Sequence, residues 1–370
     1  MWPFRRRTED RALWQVGDAY PGPATSSGVR VTPDSALRSA AVWSCVRILA
    51  DTVSELPLHV YTENDRRQVD PPRALITPAA GTDLPDWLWQ HMVSYLLRGN
   101  VMGVIADRIG PSRPSQIELV NPDRVTVQTS PDGTVWRLDG TEIDRADLWH
   151  RRAFPMPGEQ LGLSPIRYFA NTVGLGLAVE EYGAGFFRDA TTPAGLLASD
   201  QTLTREQALE LHEMWKVSRS GRRDTAVLGS GTKFQPISIA PDESQFIDTM
   251  RLNVQQIARI YAIPPELIGA DSGNSMTYSN IESRDLSFLK YSLQPWLGRL
   301  ERAMNTLVPR GQFTKFNVNA LLRADTLSRY QAHQIGLAAG FLTVPEVREL
   351  EDRPPLPATA TAPRHIGAAA

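Results

Sequence analysis

Apolar residues along the chain fall into two kinds of pattern. Val42, Val46, Leu49, Val53 and Leu56 recur at alternating spacings of four and three, which places them on one face of a helix. Thr32 as N-cap and Pro33 at the first helical position open that helix, and Pro57 ends it. LPLHVY (56–61) alternates as a strand does, and DLPDWLWQHMVSYLLRGN (83–100) reads as a helix closed by Gly99, whose missing Cβ tolerates a left-handed cap. VMGVIADRI, SQIELV, RVTVQT and TVWRL follow as strand-like stretches, the last two joined by a turn at Pro131, Asp132 and Gly133. Residues before Thr32 show no periodicity and read as a flexible arm.

From Ser164 the pattern lengthens. Ser164 and Pro165 start a helix reaching about Asp189, which carries four interior glycines, Gly174, Gly176, Gly183 and Gly185. Each costs roughly 1 kcal/mol against alanine, so another backbone packed very close is expected there. A small α/β unit follows: extended TTPAGLLAS, a helix from Thr204 to about Val217, the basic turn SRSGRRD, and strands TAVLG and KFQPISI. Asp242 with Gln245 makes a capping box for a helix striped by Phe246, Met250, Val254, Ile257 and Tyr261, which Pro264 and Pro265 stop at Ile263.

Ser279 with Glu282 makes a second box for a helix from Asn280 to about Leu307, roughly 40 Å long, in which Pro295 predicts a kink. A strand around Phe313–Val318, a helix from Thr326 to Ala339 ended by Gly340, and a short helix with a Thr343–Glu346 box complete the ordered chain. The tail after Leu356 is rich in Pro and Ala and reads as disordered.

Composition narrows the function. The chain has 370 residues, 42% hydrophobic and 22% charged, enough for two or more domains. A net charge of −2 lacks the basic excess of a protein that grips nucleic acid by neutralising many phosphates. One cysteine, Cys45, excludes an internal disulfide, and six scattered histidines do not form a metal-ligand spacing. MWPFRRRTED has no apolar run behind its basic residues, and no stretch approaches the ~20 apolar residues of a membrane span, so a soluble protein made in the cytoplasm is expected.

Catalytic motifs fail in detail. His212-Glu213 is followed by Lys216 where a zinc-protease helix needs a second histidine, and Gly162-Leu163-Ser164-Pro165-Ile166 lacks the second glycine of a nucleophile elbow. Gly229-Ser230-Gly231-Thr232-Lys233 lacks the order of a phosphate loop, and Gly174-Leu175-Gly176 lies in a helical pattern. No catalytic residue, metal ligand or cofactor is assigned. An enzyme with an unfamiliar site is the minor alternative. The basic turn with Lys216, Arg219, Arg222 and Arg223 is either solvated charge or a docking tip.

QQIARIYAIPPELIG (255–269), a Gly/Ser/Asn loop, SNIE (279–282), SLQPWLGRLERAMN (292–305) and LTVPEVRELEDRPPL (342–356) together resemble the portal proteins of tailed bacteriophages, in the branch with long non-contractile tails. ILADTVSELPLHVY (48–61), YLLRGNVMGVI (95–105), HRRAFPMPGEQLGLSPI (150–166) and TPAGLL (192–197) stand upstream in the matching order, so the resemblance covers about Thr32 to Leu356. Tyr261-Ala262 departs from the family's usual aromatic followed by glycine, Ser283 from a common glutamine and Pro345 from a common asparagine.

The resemblance implies an α+β portal fold assembled as a ring of twelve subunits at one capsid vertex. It implies a wing (32–163 and 280–325), stem helices (164–189 and 242–268), a small α/β clip (190–241) and a short helical crown (326–356), between an arm (1–31) and a tail (357–370). Ala270-Asp271-Ser272-Gly273-Asn274-Ser275-Met276-Thr277-Tyr278 would be a tunnel loop facing double-stranded DNA, hinged at Pro264, Pro265, Gly269 and Ser279. The clip residues Lys216, Arg219, Arg222 and Arg223 would dock the terminase large-subunit ATPase and the head-tail adaptor, and the wing would meet the major capsid protein. Gly174, Gly176, Gly183 and Gly185 would pack against neighbouring stems. The product would reside in the virion, without cofactor or membrane. A portal-like ring of a gene-transfer agent is the alternative.

Overall fold

The computed structural model describes residues 14–15, 25–130, 133–189, 196–199, 204–207, 209–210, 213, 232–235, 243–270, 286–318, 326–351 and 353–356. In chain order the elements begin with β1 (Trp14–Gln15), α1 (Pro33–Ala36), α2 (Ala40–Ser54), β2 (Leu58–Thr62), β3 (Gln68–Val69) and α3 (Leu84–Arg98). Six strands follow: β4 (Asn100–Ile109), β5 (Arg113–Val120), β6 (Val125–Ser130), β7 (Gly133–Leu138), β8 (Thr141–Ile143) and β9 (Leu148–Arg152). Then come α4 (Pro165–Tyr168), α5 (Ala170–Asp189), β10 (Leu196–Ser199), β11 (Thr232–Gln235) and α6 (Glu243–Ile260). The last are α7 (Gln294–Met304), β12 (Gln312–Phe316), α8 (Thr326–Ala338) and α9 (Val344–Leu350).

The chain divides into two compact units, one of 1–54 with 71–309 and one of 55–70 with 310–370. In the first, Thr32 caps α1 as expected: its hydroxyl accepts from Ser35 N–H (3.1 Å) and its own N–H reaches Ser35 Oγ (2.8 Å). The single helix expected from Thr32 to Leu56 is broken, however. Arg38 N–H bonds to the Ser35 carbonyl and Ser39 N–H to the Ala36 carbonyl, a tightened turn that re-aims the chain before α2. Val42, Val46, Leu49 and Val53 are then fully buried on one face. Helix α3 packs beside α2 and ends at Gly99, with φ of 67°. A Cβ there would overlap the Leu163 carbonyl oxygen, so Gly99 is required by close approach as well as by its dihedral.

Two antiparallel sheets share a core. One has the order β5-β4-β9 and the other β1-β6-β7-β8, with Ser130 opposite Gly133 at the β6–β7 turn. Met102, Leu148, Val125, Val127 and Trp136 close together between them. Burial alternates at the start of β6, whereas β4 over Asn100–Gly103 and β9 over Leu148–His150 are buried on both faces. Strand β1 pairs with β6 through Trp14 opposite Val127 and Gln15 opposite Thr126. Thr25 and Val31 are 7% and 2% exposed, and Ser26 N–H donates to Asn171 Oδ1 (3.0 Å). The described part of the segment read as a free arm is therefore docked, because it carries side chains that fill the first unit.

Strands β10 and β11 pair antiparallel from Leu196–Gln235 to Ser199–Thr232, and Thr204 and Gln207 cap one another as a helix start. The second unit holds the sheet β12-β2-β3, on which Phe313 stacks against Tyr61 at 5.7 Å. Thr343 and Glu346 form the expected capping box of α9, and Gly340 takes the left-handed conformation after α8 (φ 76°). Among the described residues no helix is long and apolar enough to cross a membrane.

Candidate functional site

The chain around the interrupted helices is where the sequence concentrates its unusual features. The helix expected from Ser164 to Asp189 is two pieces. Ser164 caps α4, accepting from Arg167 N–H (3.2 Å) while donating to the Leu97 carbonyl (2.7 Å), and the chain turns at Phe169 before α5. The Ser164 hydroxyl thus serves the two helix ends, donating at the end of α3 and accepting at the start of α4.

Helices α5 and α6 lie antiparallel. Asn253 of α6 donates from Nδ2 to the Thr172 carbonyl at one end (2.8 Å), and the rings of Tyr182 and Phe246 meet at 6.0 Å further along. Burial is graded along the pair. Val173 and Ile257 are 1% and 0% exposed, whereas Tyr182 is 52% exposed and Ile247 48%. Of the predicted stripe, Ile257 and Tyr261 are buried, while Met250 is exposed. One end is thus built into the core, and the other presents apolar side chains to solvent.

Three of the four interior glycines are used differently from expectation. A Cβ at Gly174 would press on Thr25 Cγ2 (2.9 Å), one at Gly176 would overlap Asn253 Oδ1, and one at Gly183 would crowd the Phe246 ring (3.2 Å). Side chains of the same chain, not a backbone, occupy these notches. Among the described residues nothing lies within 4 Å of a Cβ at Gly185.

The end of α6 explains the chain reversal. Helix bonding stops at Ile260, and Ile263 N–H reaches back to the Ala258 carbonyl (2.9 Å) with Ala262 at φ 54°, a left-handed cap of the Schellman type. The prolines therefore do not stop the helix at Ile263, as the sequence predicts. Pro264 keeps the chain extended, and Pro265 starts a 3-10 turn through Ile268 that ends at Gly269, φ 78°. Ala270 N–H closes this turn on the Pro265 carbonyl (3.0 Å). Tyr261 is buried, its hydroxyl near the Leu96 carbonyl (3.4 Å), and burial raises its pKa.

The returning chain is held at the same point. Residues 288–293 form a π-helical turn directly before Pro295, whose ring and missing N–H are accommodated by the wider turn. Ser292, 3% exposed, donates its hydroxyl to the Ala262 carbonyl. Leu293, Trp296, Leu300 and Met304 then bury the predicted stripe, but Leu286 at its start is 49% exposed. Asp271 through Tyr278, Ser279 and the basic residues Lys216, Arg219, Arg222 and Arg223 lie outside the described residues.

Titratable groups near this region are structural. Burial pushes the Cys45 thiol up to about 12 and the His91 and His150 imidazoles down to about 3. His150 Nε2 lies 3.0 Å from Asn100 Oδ1, which also accepts from Gly162 N–H (2.8 Å), while Asn100 Nδ2 donates to the Arg98 and Gly162 carbonyls. That fixes the Asn100 amide and makes His150 Nε2 the protonated nitrogen. No group of three or more His, Cys, Asp or Glu among the described residues could hold a metal ion.

The model of the phage portal protein family matches residues 40–352. The chain belongs to that family. A probable portal protein of Streptomyces phage phiC31 is 32% identical over 364 residues, covering 91% of this chain and 79% of that one. The portal protein of Enterobacteria phage HK97 is 24% identical, covering 91% and 84%. A chain in the neck of a native gene transfer agent particle, computed with C12 symmetry, superposes with a TM-score of 0.60 at 21% identity, covering 88% of this chain and 94% of that one. Within a portal protein, the strained corner at Ala262 and the tether from Ser292 are residues that sequence reasoning missed. The signal for the first was present, since the family's usual glycine at this place is what a left-handed cap favours; Ser292 carried none.

Proposed function

We propose that copies of this chain close into a twelve-membered ring at one capsid vertex, through which double-stranded DNA enters during packaging and leaves during ejection. The observation that carries this reading is the tethered reversal. The chain leaves α6 at Ala262, makes an excursion beyond Ala270, and returns at Ser292, whose hydroxyl holds the point of departure. An excursion anchored in this way, with Ser and Asn but no Lys or Arg in 269–279, suits a contact that duplex DNA slides past. The C12 symmetry of the gene transfer agent neck supports the ring number.

In this reading Gly269–Tyr278 faces the bore, and Gly185 with the exposed apolar end of α5 and α6 meets the neighbouring subunit. The basic turn at Lys216–Arg223 docks the packaging ATPase and then the head-tail adaptor, and the wing contacts the major capsid protein. Deletion of Ser272–Ser275 tests the channel assignment. Rings are expected to assemble, seen by electron microscopy, while heads fail to fill or to retain DNA; full, stable heads would sink the reading. Charge reversal at Arg219, Arg222 and Arg223 should weaken motor and adaptor binding most at low salt.

The likeness to a gene transfer agent neck favours a second reading, a ring of the same construction in a phage-derived particle. Sequencing the DNA inside purified particles separates the two: a phage carries its own genome, a transfer agent carries fragments of the host's.

A further inference from the structure

A guanidinium taken partly out of water is costly unless an anion meets it. Arg98 pairs with Asp123 at 2.6 Å, Arg108 with Asp147 at 2.5 Å, and Arg124 with Asp139. Five arginines on β9, α7 and the loop before β9 stand without such a partner, Arg151 and Arg299 half-buried and Arg145, Arg152 and Arg302 exposed. Arg145, Arg151, Arg152, Arg299 and Arg302 form no ion pair among the described residues, although Asp144, Asp147, Glu159 and Glu301 are close in sequence. Arg145 donates to the Leu148 carbonyl (2.7 Å), and Arg151 to Thr306 Oγ1 (2.8 Å) and the His150 carbonyl (3.3 Å). Arg152 reaches Glu159 only at its main-chain carbonyl (2.5 Å).

Three of the five are fixed on aromatic faces. Arg151 lies 3.9 Å over Trp149, Arg145 5.4 Å over Trp136, and Arg299 4.9 Å over Trp296 and 5.2 Å over Phe154. Stacking occupies the face of a guanidinium and leaves its in-plane N–H groups, the fork that grips a carboxylate or phosphate with two bonds. The groups feel one another. Burial lowers the pKa of Arg145, Arg151 and Arg299, and in turn Arg152, Arg145 and Arg302 add to the lowering. Tyr95 joins both halves of the cluster, sensing Arg151, Arg299 and Arg302 together. In a chain of net charge −2, this is a local positive surface without its counter-charge.

We propose that this surface docks a protein segment that carries carboxylates beside apolar side chains. Phe154 and Met156, 36% and 46% exposed, stand in the loop that follows β9, and Phe154 packs edge-on against Trp296 at 5.5 Å. Arginine, methionine and aromatic side chains together make the composition of a protein interface, and a phosphodiester backbone has no use for the apolar part. The cluster contains no lysine, and its stacked guanidiniums are pre-ordered, which suits a fixed partner better than a sliding one. The inference goes beyond the ring reading and does not depend on it.

The test uses the full chain and three fluorescent probes: a peptide of alternating Glu and Leu, the same peptide with Ser for Leu, and a short duplex DNA. The exposed Arg302 side chain makes no hydrogen bond or ion pair among the described residues, so Arg302→Glu reverses its charge without breaking one; an unchanged melting temperature verifies the fold. The Glu-Leu peptide is expected to bind tighter than either other probe and to lose about tenfold or more in affinity with Arg302→Glu combined with Arg299→Ala. Equal binding to wild type and variant, or duplex binding that exceeds peptide binding, overturns the proposal. Loss of self-association by Arg302→Glu assigns the carboxylates to a second copy and also overturns it. Electron microscopy of the same preparations keeps the questions apart, since rings without peptide binding contradict this inference alone.

Discussion

The Ser292 hydroxyl donates to the main-chain carbonyl of Ala262, thirty residues back along the chain, and so joins the departing and returning ends of the excursion. Ser292→Ala removes this partner from a part-buried hydrogen bond, a loss of about 0.5–1.5 kcal/mol. Urea unfolding should show the shift, and limited proteolysis should show faster cleavage between residues 263 and 291. An unchanged cleavage rate would mean the ends are held by other contacts.

Ala262 holds a conformation that an L side chain adopts at a cost of roughly 1–2 kcal/mol. Ala262→Gly is therefore expected to raise the melting temperature, by up to about 1 kcal/mol of stability after glycine's extra chain entropy is deducted. Ala262→Val should lower it. A drop with glycine would show that the corner is not strained.

The glycines of α5 divide by surroundings. Gly176→Ala drives a methyl into Asn253 Oδ1 and threatens its bond to the Thr172 carbonyl, so a loss of about 1–3 kcal/mol is expected in the isolated subunit. Gly185→Ala meets nothing among the described residues and gains up to about 1 kcal/mol of helix propensity there. Comparing subunit melting with ring yield separates the two roles: impaired rings from a stabilised Gly185→Ala subunit would locate a neighbour at that residue.

Acid should loosen the first unit. His91 and His150 have folded pKa values near 3, below the value of about 6.5 in the unfolded chain, so the unfolded state takes up protons first. Their contribution is complete above about pH 6.5 and is lost as pH falls toward 3; each costs about 2 kcal/mol between pH 7 and 5. His91 meets Trp87 and Tyr95 edge-on at 5.0 and 4.8 Å, and neither of its nitrogens has a hydrogen-bond partner among the described residues. His91→Phe keeps the ring and should flatten the pH dependence of urea unfolding by about half.

Local signals were the legible ones. Thr32, Ser164 and Thr343 cap helices where their spacing says, and Gly99 and Gly340 end them, because each such decision is made within one turn of chain. The breaks at 37–39 and at Phe169 were hidden, since the apolar spacing runs straight through them and only packing reveals the change of direction. The same holds for the glycines of α5. A missing Cβ announces that something is close, but Thr25, Asn253 and Phe246 stand far away in sequence, and nothing local separates an intramolecular neighbour from an external one. Candidate chemistry was legible mainly by elimination, and the unpaired arginines became visible only once Arg151, Arg299 and Arg302 were gathered around Tyr95.

The graded burial of α5 and α6 makes the pair a cantilever, clamped at Val173 and Ile257 and unsupported at Tyr182 and Ile247. A sideways load on the unsupported tip is carried as a bending moment to the clamp. There it reaches Tyr261 and the corner at Ala262, whose carbonyl the Ser292 hydroxyl holds, so a push far out on the beam is delivered as leverage at its root.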